Sequence, residues 1–455
     1  MVPGGPRAVR QTPRRGGGIH PLAHNGPVND HPDAPLAALL SPEGQRLLAQ
    51  LQDHDPAEEL TLATRLRRDH PPELVSAALG QARLRQRARA KFGDRDAARM
   101  YFTPNGVEQA TRATVAAHRA ERFRGLGVTR VADLCCGVGG DAVALARAGL
   151  RVLAVDQDPL TCAVARANAE ALGLADLIEV RCGRVEEVEL AGQEALFVDP
   201  ARRINSSAPA RRINSPAPAR GGDGPAPGGG GGRGHGGGRI FDPEAYSPPL
   251  SWAVEAARRV GVAALKVAPG IPHELVPEEA EAEWTSDRGE VKEAVLWFGT
   301  GAPGTVTATV LPSGGSLSVA GGEAALGVPE VGPVGRYLYE PDGAVVRAHL
   351  VAAVAEEVGG RLVDPTIAYV TGDARVESRF ATGYEITDVL PFHVKRLRAL
   401  LREREVGSLT VKKRGSAVSP EELRKKVRPS GPNAATVFLT RVAGAPTMLV
   451  GRPLP

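Results

Sequence analysis

Residues 131–156, VADLCCGVGGDAVALARAGLRVLAVD, constrain this chain more than any other stretch. An apolar strand ends in Asp133, a turn carries Gly137, Gly139 and Gly140, and a helix leads to a second apolar strand ending in Asp156. Glycine lets the backbone approach a ligand closely, and a helix start offers N–H groups without intrahelical partners. A carboxylate ending the next strand is placed to take the hydroxyls of a ribose. The unit reads as the binding site of a nucleoside-bearing cofactor.

Two cofactors compete for it. Gly137 to Ala142 fits G-x-G-x-x-A, the dinucleotide fingerprint, with Asp156 downstream. Asp141, however, stands where a helix N-terminus would receive a pyrophosphate, and its charge would repel the phosphates. Asp133 adds a second carboxylate beside the loop. A cationic sulfonium and an ammonium tolerate both, which favours S-adenosylmethionine over NAD.

Asp133-Leu134-Cys135-Cys136-Gly137-Val138-Gly139-Gly140 resembles motif I of the class I S-adenosylmethionine-dependent methyltransferases, D-x-x-x-G-x-G-G. More narrowly, the segment through Asp141 resembles bacterial relatives of the RNA cap guanine-N2 (trimethylguanosine synthase-like) methyltransferases. Tyr101-Phe102-Thr103-Pro104, with Glu108 to Thr111, is similar to the F-x-x-T-P-E segment preceding the core in that family. The stretch from Phe380 to Pro453 resembles the THUMP-like domain appended to such proteins.

Composition sets outer bounds. At 455 residues the chain exceeds what one core usually holds, so two or three domains are expected. Aromatics at 4% are few for a protein gripping single strands by stacking, and a net charge of +4 does not by itself identify a nucleic-acid binder. No apolar run reaches the roughly 18–20 residues needed to span a bilayer, and the N-terminal arginines precede no apolar signal core. Cysteines at 135, 136, 162 and 182 form no C-x-x-C pair, which fits a reducing cytoplasm and argues against zinc or disulfides. The ten histidines show no ligand spacing, so no metal is expected.

The expected organisation is a disordered tail (1–33), a helical segment (34–120), a methyltransferase core (121–300), a mixed α/β connector (301–378) and a THUMP-like domain (379–455). Strands near 130–134, 151–156, 178–181, 195–199 and 262–267 alternate with helices near 141–148, 159–172 and 248–259. This is the α/β order of a Rossmann-like, doubly wound sheet. A helix over 107–123 leads into it, and strands 281–286 and 291–298 form an antiparallel pair closing the sheet edge. Residues 204–239, rich in Gly, Pro, Ala and Arg, with PARRINS at 200–206 repeated at 209–215, read as a flexible insertion.

Ligands of open α/β sheets collect at the carboxyl ends of the strands. By the resemblance, Asp133 and Gly137 to Gly139 line the methionine end of the cofactor, and Asp156 takes the ribose. Cys135, Asp141, Gln157 and Gly183 complete the expected cofactor set. Asp199-Pro200-Ala201-Arg202 occupies the place of the (N/D)-P-P-aromatic motif of amino-methyltransferases. Asp199 and Pro200 match and are the expected catalytic pair, with Asp199 orienting the nucleophile and taking its proton. The aromatic position is replaced, so Arg202, Phe102 with Thr103, or Tyr246 is expected to contact the base. Lys412, Lys413 and Arg414 head the basic groups expected to hold RNA, which include Lys395 to Arg398 and Arg424 to Lys426. A solvated surface is the ordinary fate of any one such cluster.

The resemblance thus implies an RNA methyltransferase using S-adenosylmethionine, with guanine N2 as the acceptor. Two other readings stay open: a methyltransferase of a protein or small molecule, and a non-catalytic module binding S-adenosylmethionine and RNA.

Overall fold

The computed structural model describes residues 34–202, 242–312 and 315–454; the expected tail 1–33 and insertion 204–239 lie outside the described residues. The N-terminal unit comprises α1 (Ala34–Leu40), α2 (Pro42–Gln50), α3 (Glu59–Leu66) and α4 (Pro72–Ala97). Ser41 caps α2 by accepting the Gly44 N–H at 3.0 Å, and prolines open α2 and α4, where a missing N–H costs nothing. Leu47, Leu48, Leu51, Leu74, Val75 and Leu79 form the core of this unit.

The expected helix over 107–123 is two helices, α5 (Pro104–Gln109) and α6 (Ala113–Gly125). Ala110 (ψ 139°) and Arg112 (ψ 141°) are extended, so the chain breaks at 110–112 and these residues wall the cavity described below. Helical periodicity runs through the break, and tertiary contacts distinguish it: Lys91 donates to the Ala110 carbonyl, Lys266 to Thr111, and Arg112 reaches Asp287.

Strand and helix then alternate as expected: β1 (Arg130–Leu134), α7 (Gly140–Arg147), β2 (Arg151–Asp156), α8 (Pro159–Leu172), β3 (Ile178–Cys182), β4 (Ala195–Val198), α9 (Leu250–Ala257) and β5 (Val262–Val267). Next come β6 (Glu281–Asp287), β7 (Glu290–Phe298), β8 (Val306–Leu311) and β9 (Gly315–Val319). They make one nine-stranded sheet in the order β3-β2-β1-β4-β5-β7-β6-β8-β9, parallel from β3 to β5. Strand order reverses between β1 and β4, opening a crevice above their carboxyl ends. The β6–β7 hairpin does not close the edge: β6 pairs with β8, and β9 is the edge strand.

Residues 337–453 build a second sheet of seven strands. Its members are β10 (Tyr337–Pro341), β11 (Arg361–Asp364), β12 (Ile367–Gly372), β13 (Ala381–Pro391), β14 (Val406–Lys413), β15 (Asn433–Val442) and β16 (Ala445–Pro453), in the order β11-β12-β10-β13-β16-β15-β14. The stretch expected as a connector therefore divides, with β8 and β9 joining the first sheet and β10 to β12 the second. Between them, α10 (Gly343–Arg347) packs on the first core and α11 (Val351–Glu357) places Val354 there and Ala355 against the second. The helices α12 (Val394–Glu403) and α13 (Pro420–Val427) bury Leu397, Leu401, Leu423 and Val427 together against the second sheet. Ser419 and Glu422 form a capping box on α13.

A polar seam joins α6 to the first sheet. Thr114 and His118 contact Asp287 and Glu283 of β6 at 3.1 and 2.7 Å, and Arg122 reaches Glu281 and Glu283. Glu283 is 2% exposed and also accepts from Trp297 Nε1 (2.8 Å) and Thr309 Oγ1 (2.6 Å). Burial alone would raise its carboxyl; the His118 hydrogen bond, Arg122 and Thr309 outweigh it and lower the pKa from 4.5 to about 2. Because the folded value is the lower one, this stability is complete above about pH 4.5 and lost as pH falls toward 2. Replacing Glu283 by Gln removes the charged acceptor that His118, Arg122, Trp297 and Thr309 share, while Arg122 keeps Glu281, at a cost of about 1–3 kcal/mol. Denaturant titrations against pH should show that loss near neutrality and a shallower acid decline in E283Q. Equal acid slopes in the two proteins would contradict this account.

Candidate active site

The glycine loop joins β1 to α7. Gly139 is left-handed (φ 82°) and starts the helix, with Ala165 of α8 already 3.5 Å from where a Cβ would stand. From the other side α5 docks on the loop: a Cβ on Gly106 would come within 2.3 Å of Val138 Cγ1. Asp156 spans the loop and the next turn, accepting the Gly137 N–H at 3.1 Å and the Asp158 N–H at 3.0 Å. Asp158 is the cap of α8, accepting the Thr161 N–H at 2.8 Å.

A cavity of about 490 Å³ opens over the carboxyl ends of β1, β4 and β5, walled on one side by Gly106 and Glu108 to Arg112 of the N-terminal unit. Asp133, Cys135, Gly137, Asp141 and Asp156 line it, together with Asp199, Pro200 and Arg202. The structure thus brings the expected acceptor motif and most of the cofactor set into one space.

Asp133 is fully buried, and neither of its oxygens has a hydrogen-bond partner among the described residues. Burial, reinforced by Asp141 and Asp199, pushes its carboxyl well above the usual carboxylate range. Burial also raises Asp156 and the Cys135 and Cys136 thiols, which is the opposite of activation for thiol chemistry. Asp199 behaves differently. Burial would raise it too, but Lys266, Arg202 and Arg119 outweigh burial and hold it below the usual range.

The first cause of that reversal, Lys266, is a residue the motifs did not mark. Lys266 of β5 is 4% exposed; its Nζ donates to Asp199 Oδ2 at 2.7 Å and to Thr111 Oγ1 at 2.8 Å. Glu293 Oε2 lies 3.8 Å from the same ammonium and is itself ion-paired with Arg119, which also pairs with Asp141. Five charges, Asp141, Arg119, Glu293, Lys266 and Asp199, form a chain beneath the cavity. Three carboxylates against two cations leave it net negative. The sequence signal was present: a lysine within VAALKV, a central strand that helices cover on both faces, must find a partner.

Other expected residues stand elsewhere. Gly139, Gln157 and Gly183 flank the loop and strand ends but do not line the cavity. Phe102 is 3% exposed in the N-terminal core with its ring 5.3 Å from that of Phe92, and Thr103 caps α5, so neither forms part of the cavity wall. Tyr246 is buried and likewise outside the lining. The aromatic ring that does line the cavity is Phe197, under Arg119 at 4.2 Å. In the second sheet Lys412 pairs with Glu340, and Arg414 donates to the Ala368 carbonyl at 3.1 Å and lies over Tyr369. Lys413, one residue out of phase, is exposed.

Comparison with known proteins agrees with this geometry. Residues 128–209 match the family described as RNA cap guanine-N2 methyltransferase, 381–453 the THUMP domain-like family, and 33–88 a domain family of unknown function. A candidate methyltransferase from Porphyromonas gingivalis W83 shares the fold, with a TM-score of 0.67 at 21% identity, over 88% of this chain and all of that one. The fold is that of a class I S-adenosylmethionine-dependent methyltransferase. The chain is 33% identical over 385 residues to an uncharacterized S-adenosylmethionine-dependent methyltransferase of Mycobacterium tuberculosis CDC 1551, covering 82% of this chain and 94% of the relative. The counterpart from strain H37Rv matches to the same extent, and the chain belongs to this family. Its cofactor is S-adenosylmethionine. Among the described residues no helix is long and apolar enough to cross a membrane, and no cluster of His, Cys, Asp or Glu could hold a metal.

The residues present fit that cofactor. The partnerless Asp133 carboxyl suits an ammonium, Asp156 keeps lone pairs for ribose hydroxyls, and Asp141 stands in the first turn of α7, where a pyrophosphate would otherwise sit. Since burial raises the Asp133 carboxyl while it is unpartnered, receiving a cation there should lower it again and favour proton release. Calorimetry in buffers of different ionisation enthalpy should record proton release, with affinity increasing with pH. Asp133→Asn should abolish the release and weaken S-adenosylmethionine binding about 10- to 100-fold. Unchanged affinity and release in D133N would remove Asp133 from the cofactor site.

Proposed function

We propose that this protein methylates an exocyclic amine of a purine in RNA, guanine N2 being the best match, while its C-terminal domain holds the RNA. The observation that carries the reading is Asp199: a carboxylate kept ionised at the tip of β4, on the wall of the cofactor cavity. An exocyclic amine has two N–H groups to donate and a lone pair partly delocalised into its ring. A fixed anion accepting one N–H draws the lone pair out of conjugation and aims it.

When bound, S-adenosylmethionine would supply an electrophilic methyl to the amine nitrogen and leave as a neutral thioether, its C–S bond electrons staying on sulfur. Positive charge then sits on the nitrogen beside Asp199. A methylated purine ammonium is a far stronger acid than a carboxylic acid, so a carboxylate of low basicity still accepts its proton and hands it to water. Arg202 on the cavity wall suits stacking on the base or binding a phosphate.

Two features support RNA as the acceptor. Residues 128–209 match an RNA methyltransferase family, and the exposed faces of α12 and α13 carry Lys395, Arg396, Arg402, Arg424, Lys425 and Lys426. Lys412 and Arg414 are tied into the fold, so within the 412–414 group Lys413 is the residue left to meet phosphate.

Tritiated S-adenosylmethionine, total RNA from a strain lacking the gene and nucleoside analysis test the assignment. Label should enter a methylated guanosine, and Asp199→Asn should lower the rate by about 10²-fold or more. Label confined to protein or small molecules would overturn RNA as the substrate. Separately, Lys425→Ala with Lys426→Ala should weaken RNA binding and flatten the slope of log affinity against log salt by about 2. An unchanged slope would remove α13 from the RNA surface.

A further inference from the structure

Lys266 belongs to no motif, yet it is a buried cation directly beside Asp199. Strand register sets Leu265 beside Val198, so Lys266 stands beside Asp199. Its aliphatic stem runs within a strand whose neighbours are buried on both sides. An ammonium so enclosed is very costly unless paired. Here it finds the Asp199 carboxylate, the Thr111 hydroxyl and, at 3.8 Å, Glu293.

Glu293 already has Arg119, so neutralising Glu293 does not require Lys266. Asp199 has Lys266 at 2.7 Å, while its own side chain is still 22% exposed. One oxygen, Oδ2, is engaged from below, and the group as a whole still lines the cavity. Thr111 comes from the break between α5 and α6, so the N-terminal unit sets the second direction of the ammonium.

We propose that Lys266 is a positioning residue for methyl transfer: held by Thr111 and Glu293, its ammonium fixes Asp199 as a charged, oriented acceptor for the substrate N–H. This rests on Asp199 receiving that N–H, as proposed above. Lys266 reaches the cavity wall with its donors directed at Asp199 and Thr111, so its effect on the reaction passes through Asp199. It acts by preventing Asp199 from taking up a proton, because a protonated carboxyl would present an O–H to the amine and lose much of its pull on the lone pair. Arginine is a poor geometric substitute, since a planar fork has no room to aim one donor at Thr111 and another at Asp199, although it preserves charge.

Full-length protein carrying [4-¹³C]aspartate reports Asp199 directly, the resonance being assigned by its loss in D199N. In the wild type Asp199 should stay ionised throughout about pH 5–8, and in Lys266→Met it should titrate within that window. Lys266→Arg should restore the ionised state. In the RNA-labelling reaction K266M should show kcat about 10- to 100-fold below wild type at pH 6, recovering toward pH 8, with KM for S-adenosylmethionine unmoved. An Asp199 that titrates alike in wild type and K266M overturns the proposal. So does a wild-type Asp199 that titrates between about pH 5 and 8, a result that needs no variant to fold. If wild-type protein labels no RNA, the RNA reading fails, while the carboxylate titration still decides the role of Lys266.

Discussion

The contact of Arg119 with Asp141 and Glu293, which almost no solvent reaches, joins the three parts of the cofactor site. Arg119 is 2% exposed and rises from α6; Asp141 opens α7, and Glu293 lies on β7. Removing Arg119 would leave two buried carboxylates without their shared cation, and stranding a buried charge costs several kcal/mol. The arrangement holds the helix that carries the glycine loop against a helix of the N-terminal unit and, through Glu293, leads to Lys266 and Asp199. The cofactor and acceptor ends of the cavity share one set of counter-charges.

How much of this was legible in the chain follows from what each part depends on. The β1–α7–β2 unit could be read residue by residue, because glycines, a strand-ending Asp133 and a strand-ending Asp156 are local requirements of a close ligand approach. Cap residues were legible for the same reason: Asp158 and Ser419 satisfy N–H groups within three residues. The break at 110–112 was not, since Ala110, Thr111 and Arg112 carry no helix-stopping residue and only Lys266, 155 positions away, gives Thr111 its place. The same holds for the sheet beyond β7. Its extension through β6, β8 and β9 depends on the polar face of β6 finding α6, a pairing that periodicity does not encode.

Phe102 and the 412–414 group illustrate a second limit. A motif resemblance gives a residue its place in the chain but not its burial. Phe102 serves the packing of the N-terminal helices. The pleat of β14 turns Lys412 and Arg414 toward Glu340 and Tyr369 and leaves Lys413 to the opposite face. Three consecutive cations thus divide into two internal ties and one surface charge. A count of lysines and arginines overstates the charge available to a polyanion.

The seam between α6 and the β6–β7 hairpin has a consequence for the order in which the molecule can be assembled. His118 and Glu283 are 165 residues apart in the chain, and Arg119 and Glu293 are 174 apart. During synthesis α6 emerges long before its carboxylates, so its cations stay hydrated until the hairpin arrives. Contacts this distant in sequence close slowly, because the intervening chain must first surrender its freedom. Strands β1 to β5 can align beforehand, but the cavity acquires its N-terminal wall in final form only when β7 inserts beside β5. The acceptor end, anchored by Glu293, Lys266 and Thr111, is the last part of the site to become rigid.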